Sequence, residues 1–385
     1  MEKEVIIGHP QPSLKFYDHT NKCMVDTIWP ELAAGLWKEY NIDNALINED
    51  LGIEAINYWQ PVFNRYTPIL PGFQWNADNN CLDYELYRPQ KLSETNISTF
   101  LYTVEKYLHQ YDGKKIGVHL SGGFDSTLLI GLLRFFKIPC ILAGYQVNRF
   151  EFRTERYIQD IVSNWGEKSI ILDLEDYPFY SHLELTPKHQ VPDAFIKSNE
   201  SAKAIADVFK KENVDIVFTG QGGDSLFIED ETNGLASYNI GYEFLTPWEQ
   251  ELIYSPRGIQ LESPYANKDI IDQISNLRLG QREDPLKLWA RHFFKEFVPK
   301  ELSEYTYFAD FYGMDVSGLE AAKPTIKLLF EESYDLTKHK LFSESSTKEI
   351  LNEDVYALEI KEYIKYGMKI SIAAWLHALF RHDKE

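Results

Sequence analysis

The amino-acid sequence predicts an α/β fold in which a parallel sheet carries helices on both faces. Between residues 96 and 230, short apolar runs alternate with runs of helical spacing, an order typical of a parallel sheet. Residues 1–95 are instead rich in Trp, Tyr, Pro and Asn, and strand-like alternation stops after residue 230. We therefore expect a small β-containing segment over 1–95, a core over 96–230 and a mostly helical lobe over 231–385.

The N-terminal segment contains one hairpin-like stretch, RYTPILPGFQWNADNNCLDYEL, over residues 65–86. Pro71-Gly72 and Asp78-Asn79-Asn80 supply residues that favour turns. The aromatic and apolar residues around these turns favour strands. The stretch therefore predicts β structure near the end of this segment.

Four strands are predicted in the core, with helices between them. The strands are IGVHL (116–120), CILAGY (140–145), SIILDL (169–174) and VDIVFTG (214–220). The helices are STLLIGLLRFF (126–136), the amphipathic run 154–165 and SAKAIADVFKKE (201–212). Two further helical stretches follow in the lobe, DPLKLWARHFFKEF (284–297) and residues 359–380. Helices between consecutive strands are the connections that parallel strands need.

Composition narrows the class of protein. The chain has 385 residues, 44% of them hydrophobic, which is enough for two or three cores. Acidic residues outnumber basic ones 59 to 39, and the net charge of −20 opposes binding to nucleic acid. The cysteines Cys23, Cys81 and Cys140 are too widely spaced for a zinc ribbon or a disulfide framework. Neither a leader peptide nor a membrane-spanning run is predicted, so we expect a cytoplasmic protein with no membrane partner.

The stretch SGGFDS follows the first core strand and begins the next helix. Backbone N–H groups at such a helix start, together with the helix dipole, favour a bound anion. Gly122 and Gly123 allow these groups to form a nest for a phosphate, and Ser121 and Ser126 add hydroxyl donors. Asp125 would stand beside the phosphates, which favours Mg²⁺ as a bridging cation. The alternative is a tight turn in which Asp125 only caps the helix.

Three motifs together resemble one group of enzymes. SGGxDS after a strand is similar to the signature of the pyrophosphate-loop ATP pyrophosphatases. TGQGGDSLF (219–227) resembles the GxGxDELF element of asparagine synthetase and β-lactam synthetase. DPLKLWARHFFKEFVPKEL (284–302) resembles the K-x-x-x-R helix of the same group. The resemblance covers about residues 100–310 and implies an adenine nucleotide α-hydrolase-like core.

The resemblance implies a reaction that begins with adenylation of a carboxylate. In this group the substrate carboxylate attacks the α-phosphorus of ATP and pyrophosphate leaves. An amine then attacks the acyl-adenylate, which gives an amide and AMP. The cofactors implied are therefore ATP and Mg²⁺, and the partners are a carboxylate substrate, either a small molecule or a peptide, and an amine.

Matching positions imply a role for each nucleotide-site residue. Ser121, Gly122, Gly123 and Ser126 would hold the pyrophosphate, and Asp125 and Asp224 would hold Mg²⁺. Lys287 would offset the charge that develops as pyrophosphate leaves, although a lysine on a solvated helix face is the alternative. Gly144 and Gly220 are expected beside the adenosine, with simple turns as the alternative, and Gly222 belongs to the same nucleotide-binding loop.

Four positions depart from the family pattern where the amine is expected. Gln260 replaces the proton-removing glutamate, and Glu262 stands where the family has an arginine. Tyr307 stands where the family has a lysine, and a phenol carries no fixed positive charge near neutral pH. Gln221 occupies a substrate-facing position that is acidic in asparagine synthetase. Either the acceptor site is rebuilt around these residues, or the alignment is displaced by a residue or two and Glu262 keeps the glutamate's role.

The N-terminal segment departs from asparagine synthetases as well. Those enzymes begin with a glutaminase domain whose nucleophilic cysteine follows the initiator methionine, whereas this chain has Glu2 there. We expect an inactive remnant of that domain and an amine that does not come from glutamine. The aromatic segment around Tyr307 could also serve packing alone.

The function expected is a glutamine-independent, AMP-forming synthetase of an amide, lactam or isopeptide bond, with natural-product synthesis and peptide macrocyclisation as variants. The alternative is an ATP-binding pseudo-synthetase that acts as a scaffold or regulatory partner. A partner protein or a homo-oligomer is left open.

Overall fold

The structure of the protein is a computed structural model. It describes residues 15–26, 28, 30, 65–69, 73–76, 81–84, 87–146, 163–165, 168–186, 196–228, 249–304 and 312–337, together with seven residues between 370 and 378.

Short antiparallel strands form the described part of the N-terminal segment. β1 (Lys15–Asp18) pairs with β2 (Cys23–Val25) and β3 (Tyr66–Ile69), and β4 (Phe73–Asn76) pairs with β5 (Cys81–Tyr84). The guanidinium of Arg65 donates to the buried Asp18 carboxylate at 2.8 Å and holds the pKa of that carboxyl well below its usual range. The predicted β-containing segment is confirmed, whereas its predicted turn residues lie outside the described residues.

A parallel sheet lies at the centre of the described chain, as predicted, and it has five strands where four were expected. Its strands are β6 (Ile116–Leu120), β7 (Cys140–Gln146), β8 (Lys168–Asp173), β9 (Ile216–Phe218) and β10 (Gln260–Glu262), in the spatial order β10-β9-β6-β7-β8. The chain moves outward from β6 to β8 and then returns to place β9 on the other side of β6. Ligands of open α/β sheets bind at the carboxyl ends of strands where the order reverses in this way.

Helices cover both faces of this sheet. The helices of the described ranges are α1 (Ile97–Leu108), α2 (Phe124–Phe135), α3 (Asn199–Lys211), α4 (Gly223–Ile228), α5 (Lys268–Arg278), α6 (Leu288–Phe293), α7 (Lys300–Glu304) and α8 (Tyr312–Thr337). None of the helices within the described ranges is both long and apolar enough to cross a membrane.

The two faces of the sheet have separate cores because successive strand residues point to opposite sides. Val118 and Phe218 pack with residues of α1, α2, α4 and α5 on one face. Ala143 and Val217 pack with α3 and with the segment around Tyr254 on the other face. These layers confirm the predicted helices on both faces.

Two elements differ from the prediction. β10 lies in the region expected to be helical, and only Leu261 of its three residues is an apolar side chain turned to a core. The helix predicted over 284–297 is α6 alone, because Lys287 has a left-handed backbone and α6 begins after it. Both differences affect residues of the predicted site.

Asp272 of α5 ties residues 87–90 to the core, because its Oδ1 accepts from Tyr87 OH at 2.8 Å and from Gln90 N–H at 2.9 Å. Asp272→Ala should lower the free energy of unfolding by about 2 kcal/mol, because it removes the charged acceptor of two hydrogen bonds, one from the half-buried Tyr87 and one from the exposed Gln90. Urea denaturation followed by circular dichroism measures this change. Asp269→Ala, at an exposed position of the same helix, should cost less than about 1 kcal/mol, and equal losses would contradict the assignment.

Candidate functional site

The first loop of the site joins the carboxyl end of β6 to the start of α2. Gly122 has a φ of 77°, a left-handed conformation that favours glycine. The Ser121 and Ser126 hydroxyls lie 2.9 Å apart, and the Gly123 N–H donates to Ser121 Oγ at 3.2 Å. Gly123 caps α2 without a side-chain hydrogen bond. The N-terminal end of α2, with its dipole, therefore lies at this loop, as an anion-binding loop requires.

The second loop follows β9 and packs directly on the first. A Cβ atom at Gly220 would lie 2.8 Å from Ser126 N, and one at Gly223 would lie 2.4 Å from Asp125 Cγ. Glycine is therefore required at both positions by the close approach of the two loops. Gly222 has a φ of 81° at the centre of this loop, and α4 begins directly after it.

Three predicted residues meet where these loops touch. Lys287 Nζ lies 2.8 Å and 2.7 Å from the two carboxylate oxygens of Asp125 and 2.5 Å from Asp224 Oδ1. The side chain of Lys287 is 8% exposed and that of Asp125 is 16% exposed, whereas that of Asp224 is 77% exposed. One ammonium therefore joins an enclosed carboxylate to one that is open to solvent.

Local structure fixes the position of Lys287. Its backbone is left-handed, with φ 54° and ψ 34°, and it is the residue before α6. Asp284 stabilises this turn, since its Oδ1 accepts from Leu286 N–H at 3.1 Å and its other oxygen accepts from Leu288 N–H. The buried Arg291 donates from Nε to the Leu286 carbonyl at 2.8 Å. A non-glycine residue held in this strained region is a feature often found at functional sites.

Burial raises the pKa of the Asp125 carboxyl above its ordinary value, and the Lys287 ammonium acts in the opposite direction. The neighbouring Asp224 carboxylate raises it further. The Tyr265 hydroxyl donates to the Asp125 backbone carbonyl at 2.8 Å, and burial raises the pKa of Tyr265 well above its ordinary value. The phenol therefore keeps its proton and holds the backbone of Asp125 in place.

The two aspartates can face one cation, because both contact the same ammonium. Within the described ranges, no group of three or more His, Cys, Asp or Glu side chains is placed to hold a metal ion. Mg²⁺ in nucleotide sites is commonly bound by one or two carboxylates, with phosphates and water in the remaining positions. Asp125 and Asp224 therefore fit a Mg²⁺ ion that arrives with a triphosphate.

Gln260 and Glu262 lie on the edge strand β10, where Gln260 Nε2 donates to Glu262 Oε1 at 2.7 Å. Their register with Ile216 and Phe218 places them on the sheet face covered by α1. Burial raises the pKa of Tyr111 to about 12, and the nearby charge of Glu262 adds to this shift. The structure therefore brings these two predicted residues together.

Gln221 lies within the second loop, between Gly220 and Gly222. Its Nε2 is 3.5 Å from Glu249 Oε2, and its backbone carbonyl accepts from Ser263 Oγ at 2.6 Å. Tyr307 lies outside the described residues. The catalytic roles expected for Gln221, Gln260, Glu262 and Tyr307 stay predictions.

A pocket of about 220 Å³ opens at the carboxyl ends of β6 and β7, next to Ser121. Much of its wall is apolar, formed by Leu120, Ala143, Leu174, Phe179, Ala202 and Ile205. Gly144 also lines it, and a Cβ atom there would lie 2.1 Å from the Leu120 carbonyl oxygen. The close packing of β7 on β6 therefore requires glycine at this position, whether or not a ligand binds. The pocket continues from the loop of Ser121 towards an apolar interior.

Sequence reasoning missed several contributors to this site. Gly223 was visible in the second motif, but its approach to Asp125 requires the fold to be known. Tyr265, Ser263 and Glu249 belong to no motif quoted above. Their contacts with Asp125 and Gln221 arise because the chain returns to the sheet at β10.

Lys287→Met should lower the free energy of unfolding by about 3–5 kcal/mol at pH 8, because it leaves the ionised Asp125 enclosed without its counter-charge. Lys287 lowers the pKa of Asp125, so its stabilisation is present while Asp125 is ionised. The loss of unfolding free energy should therefore become smaller as the pH falls and the Asp125 carboxyl of the variant takes up a proton. Urea titrations from pH 8 down to pH 5 measure this trend, with the exposed Lys295→Met as control. A loss independent of pH would contradict the assignment.

One family model matches the part of the chain that contains both loops. Residues 104–284 match the family model for asparagine synthase, a range that contains both loops and ends just before Lys287. No curated protein matches the chain. Among solved structures, NMN synthetase from Francisella tularensis is similar, with 10% sequence identity, coverage of 72% of this chain and 93% of that chain, and a TM-score of 0.34. The family match assigns residues 104–284 to a domain of the asparagine synthase family.

Proposed function

We propose that this protein is an ATP-dependent ligase that adenylates a carboxylate, with release of pyrophosphate, and then forms an amide, lactam or isopeptide bond with release of AMP. The observation that carries the proposal is the contact of Lys287 with Asp125 and Asp224 at the phosphate loop. The asparagine synthase family match supports an ATP-dependent, amide-forming ligase.

The first loop is suited to the β- and γ-phosphates. Gly122 and Gly123 turn the backbone at the start of α2, and the Ser121 and Ser126 hydroxyls lie on the same loop. Fixed N–H and hydroxyl donors stabilise the negative charge that pyrophosphate carries as it leaves. The net charge of −20 makes such local donors necessary, because the rest of the protein repels phosphate.

Lys287 and the two aspartates supply the charged part of the site. Asp125 and Asp224 would hold Mg²⁺, which when bound supplies positive charge next to the phosphates. Lys287 would then direct its ammonium towards the same phosphates. Because Asp224 is largely exposed, it can change partner at little cost in protein stability.

The pocket next to Ser121 is suited to the nucleoside. It continues directly from the phosphate loop, and its apolar walls from both strands and α3 match a purine ring. Gly144 lines this pocket, which supports its proposed position beside adenosine, whereas Gly220 packs against the Ser126 backbone at the start of α2.

The acceptor half of the reaction is proposed to be glutamine-independent. Gln260, proposed to stand where the family has its proton-removing glutamate, donates to Glu262. We propose that Gln221, Gln260, Glu262 and Tyr307 form or replace that part of the site. The same observation favours one alternative, an ATP-binding pseudo-synthetase that has lost amide formation and serves as a scaffold.

The test incubates the protein with Mg·ATP and a panel of amino acids and carboxylate-bearing peptides, and separates the nucleotides by ion-exchange chromatography. We expect AMP and pyrophosphate in equal amounts. Asp224→Asn should lower AMP formation by about 10²–10³-fold, the range for losing one electrostatic stabiliser. Asp112→Asn, which is 72% exposed at the opposite end of β6, serves as the matched control.

The thermal unfolding temperature of each variant should stay close to that of the wild type, because the side chains of Asp112 and Asp224 are both exposed. ADP without AMP would contradict the proposed reaction. Tight binding of Mg·ATP, with no pyrophosphate released under any substrate condition, would favour the pseudo-synthetase.

A further inference from the structure

The apolar pocket next to Ser121 contains one acidic side chain, Glu249, and neither Lys nor Arg is among the described residues that line it. The nearby His119 also lines the pocket, and burial lowers the pKa of its imidazole to about 4. His119 is therefore neutral at pH 7. A carboxylate here would repel phosphate, so a ligand group that binds beside it has to be a hydrogen-bond donor.

Glu249 lies at the end of the pocket that faces the phosphate loops. Its Oε2 is 3.5 Å from Gln221 Nε2. The residue before Gln221 is Gly220, whose Cα packs against the Ser126 backbone at the start of α2. Glu249 thus stands between the phosphate site and the apolar part of the pocket. In any nucleotide the sugar occupies that place, with phosphates on one side and the base on the other.

The segment that carries Glu249 is anchored to the sheet. The next residue, Gln250, donates from Nε2 to the Ile259 carbonyl at 3.1 Å, and its Oε1 accepts from the Leu261 N–H of β10. Residues Gln250–Tyr254 form a π-helical turn, a feature common at functional sites. Burial is the main cause of the raised pKa of Tyr145 and of Tyr254, and the nearby charge of Glu249 raises both further. These contacts hold the carboxylate at the pocket instead of in bulk solvent.

We propose that Glu249 is a specificity-determining residue, whose carboxylate accepts hydrogen bonds from the ribose hydroxyls of the nucleotide and selects ribonucleotides over nucleotides that lack them. A carboxylate that accepts from ribose hydroxyls is the recognition used in dinucleotide-binding sheets, although the element that supplies it here is different. The inference rests on the proposed use of ATP.

Isothermal titration calorimetry with Mg·ATP and Mg·2′,3′-dideoxy-ATP tests this role. The wild type should bind the dideoxynucleotide about 10- to 100-fold more weakly, the range for hydrogen bonds to a charged group. Glu249→Ala should bind both nucleotides with the weaker affinity, so that the preference disappears. Glu105→Ala, on an exposed position of α1 at the opposite face of the sheet, should keep the wild-type preference.

The dideoxynucleotide also reports on folding, because a misfolded variant would bind neither nucleotide, whereas the expected variant binds dideoxy-ATP as the wild type does. Glu249→Ala that keeps the wild-type preference would overturn the role of Glu249 and leave the proposed function in place. A wild type that binds no nucleotide would overturn both.

Discussion

The ammonium of Lys287 lies between the carboxylates of Asp125 and Asp224, and the arrangement of the site depends on this contact. It joins three segments that are distant in the chain: the start of α2, the start of α4 and the turn before α6. Lys287 and Asp125 are both largely enclosed, so each would be a buried, uncompensated charge without the other. Each of the two charges therefore depends on the other, and the pair also places the carboxylate proposed to bind a cation beside the loop of Gly122.

Close packing of the two loops makes that contact achievable. Gly220 and Gly223 allow the second loop to approach Ser126 and Asp125 to distances that a Cβ atom would prevent. Tyr265 fixes the backbone of Asp125 from the other side. The reversal of strand order between β6 and β9 brings both loops to the same edge of the sheet, so the positions proposed for phosphate, cation and nucleoside are adjacent.

The core strands could be predicted from sequence because each is an apolar run bounded by turns, and β6 was predicted with its observed bounds. β10 could not, because Gln-Leu-Glu is too short and too polar to show a strand pattern before its pairing with β9 is known. The extent of α6 was missed for a different reason: Asp284 and the left-handed Lys287 replace the first turn of the predicted helix. Motifs located both phosphate loops, whereas Glu249 and Tyr265 reach the site only through tertiary packing.

The most direct test of the account is a crystal structure with Mg²⁺ and α,β-methylene-ATP, which cannot release pyrophosphate. We expect Mg²⁺ at about 2.1 Å from oxygens of Asp125 and Asp224 and the terminal phosphates at the loop containing Gly122. Lys287 Nζ should contact phosphate oxygens. Phosphates bound elsewhere would contradict the account. It would also be contradicted if, with nucleotide bound, Lys287 still contacted both aspartates and no metal lay between Asp125 and Asp224.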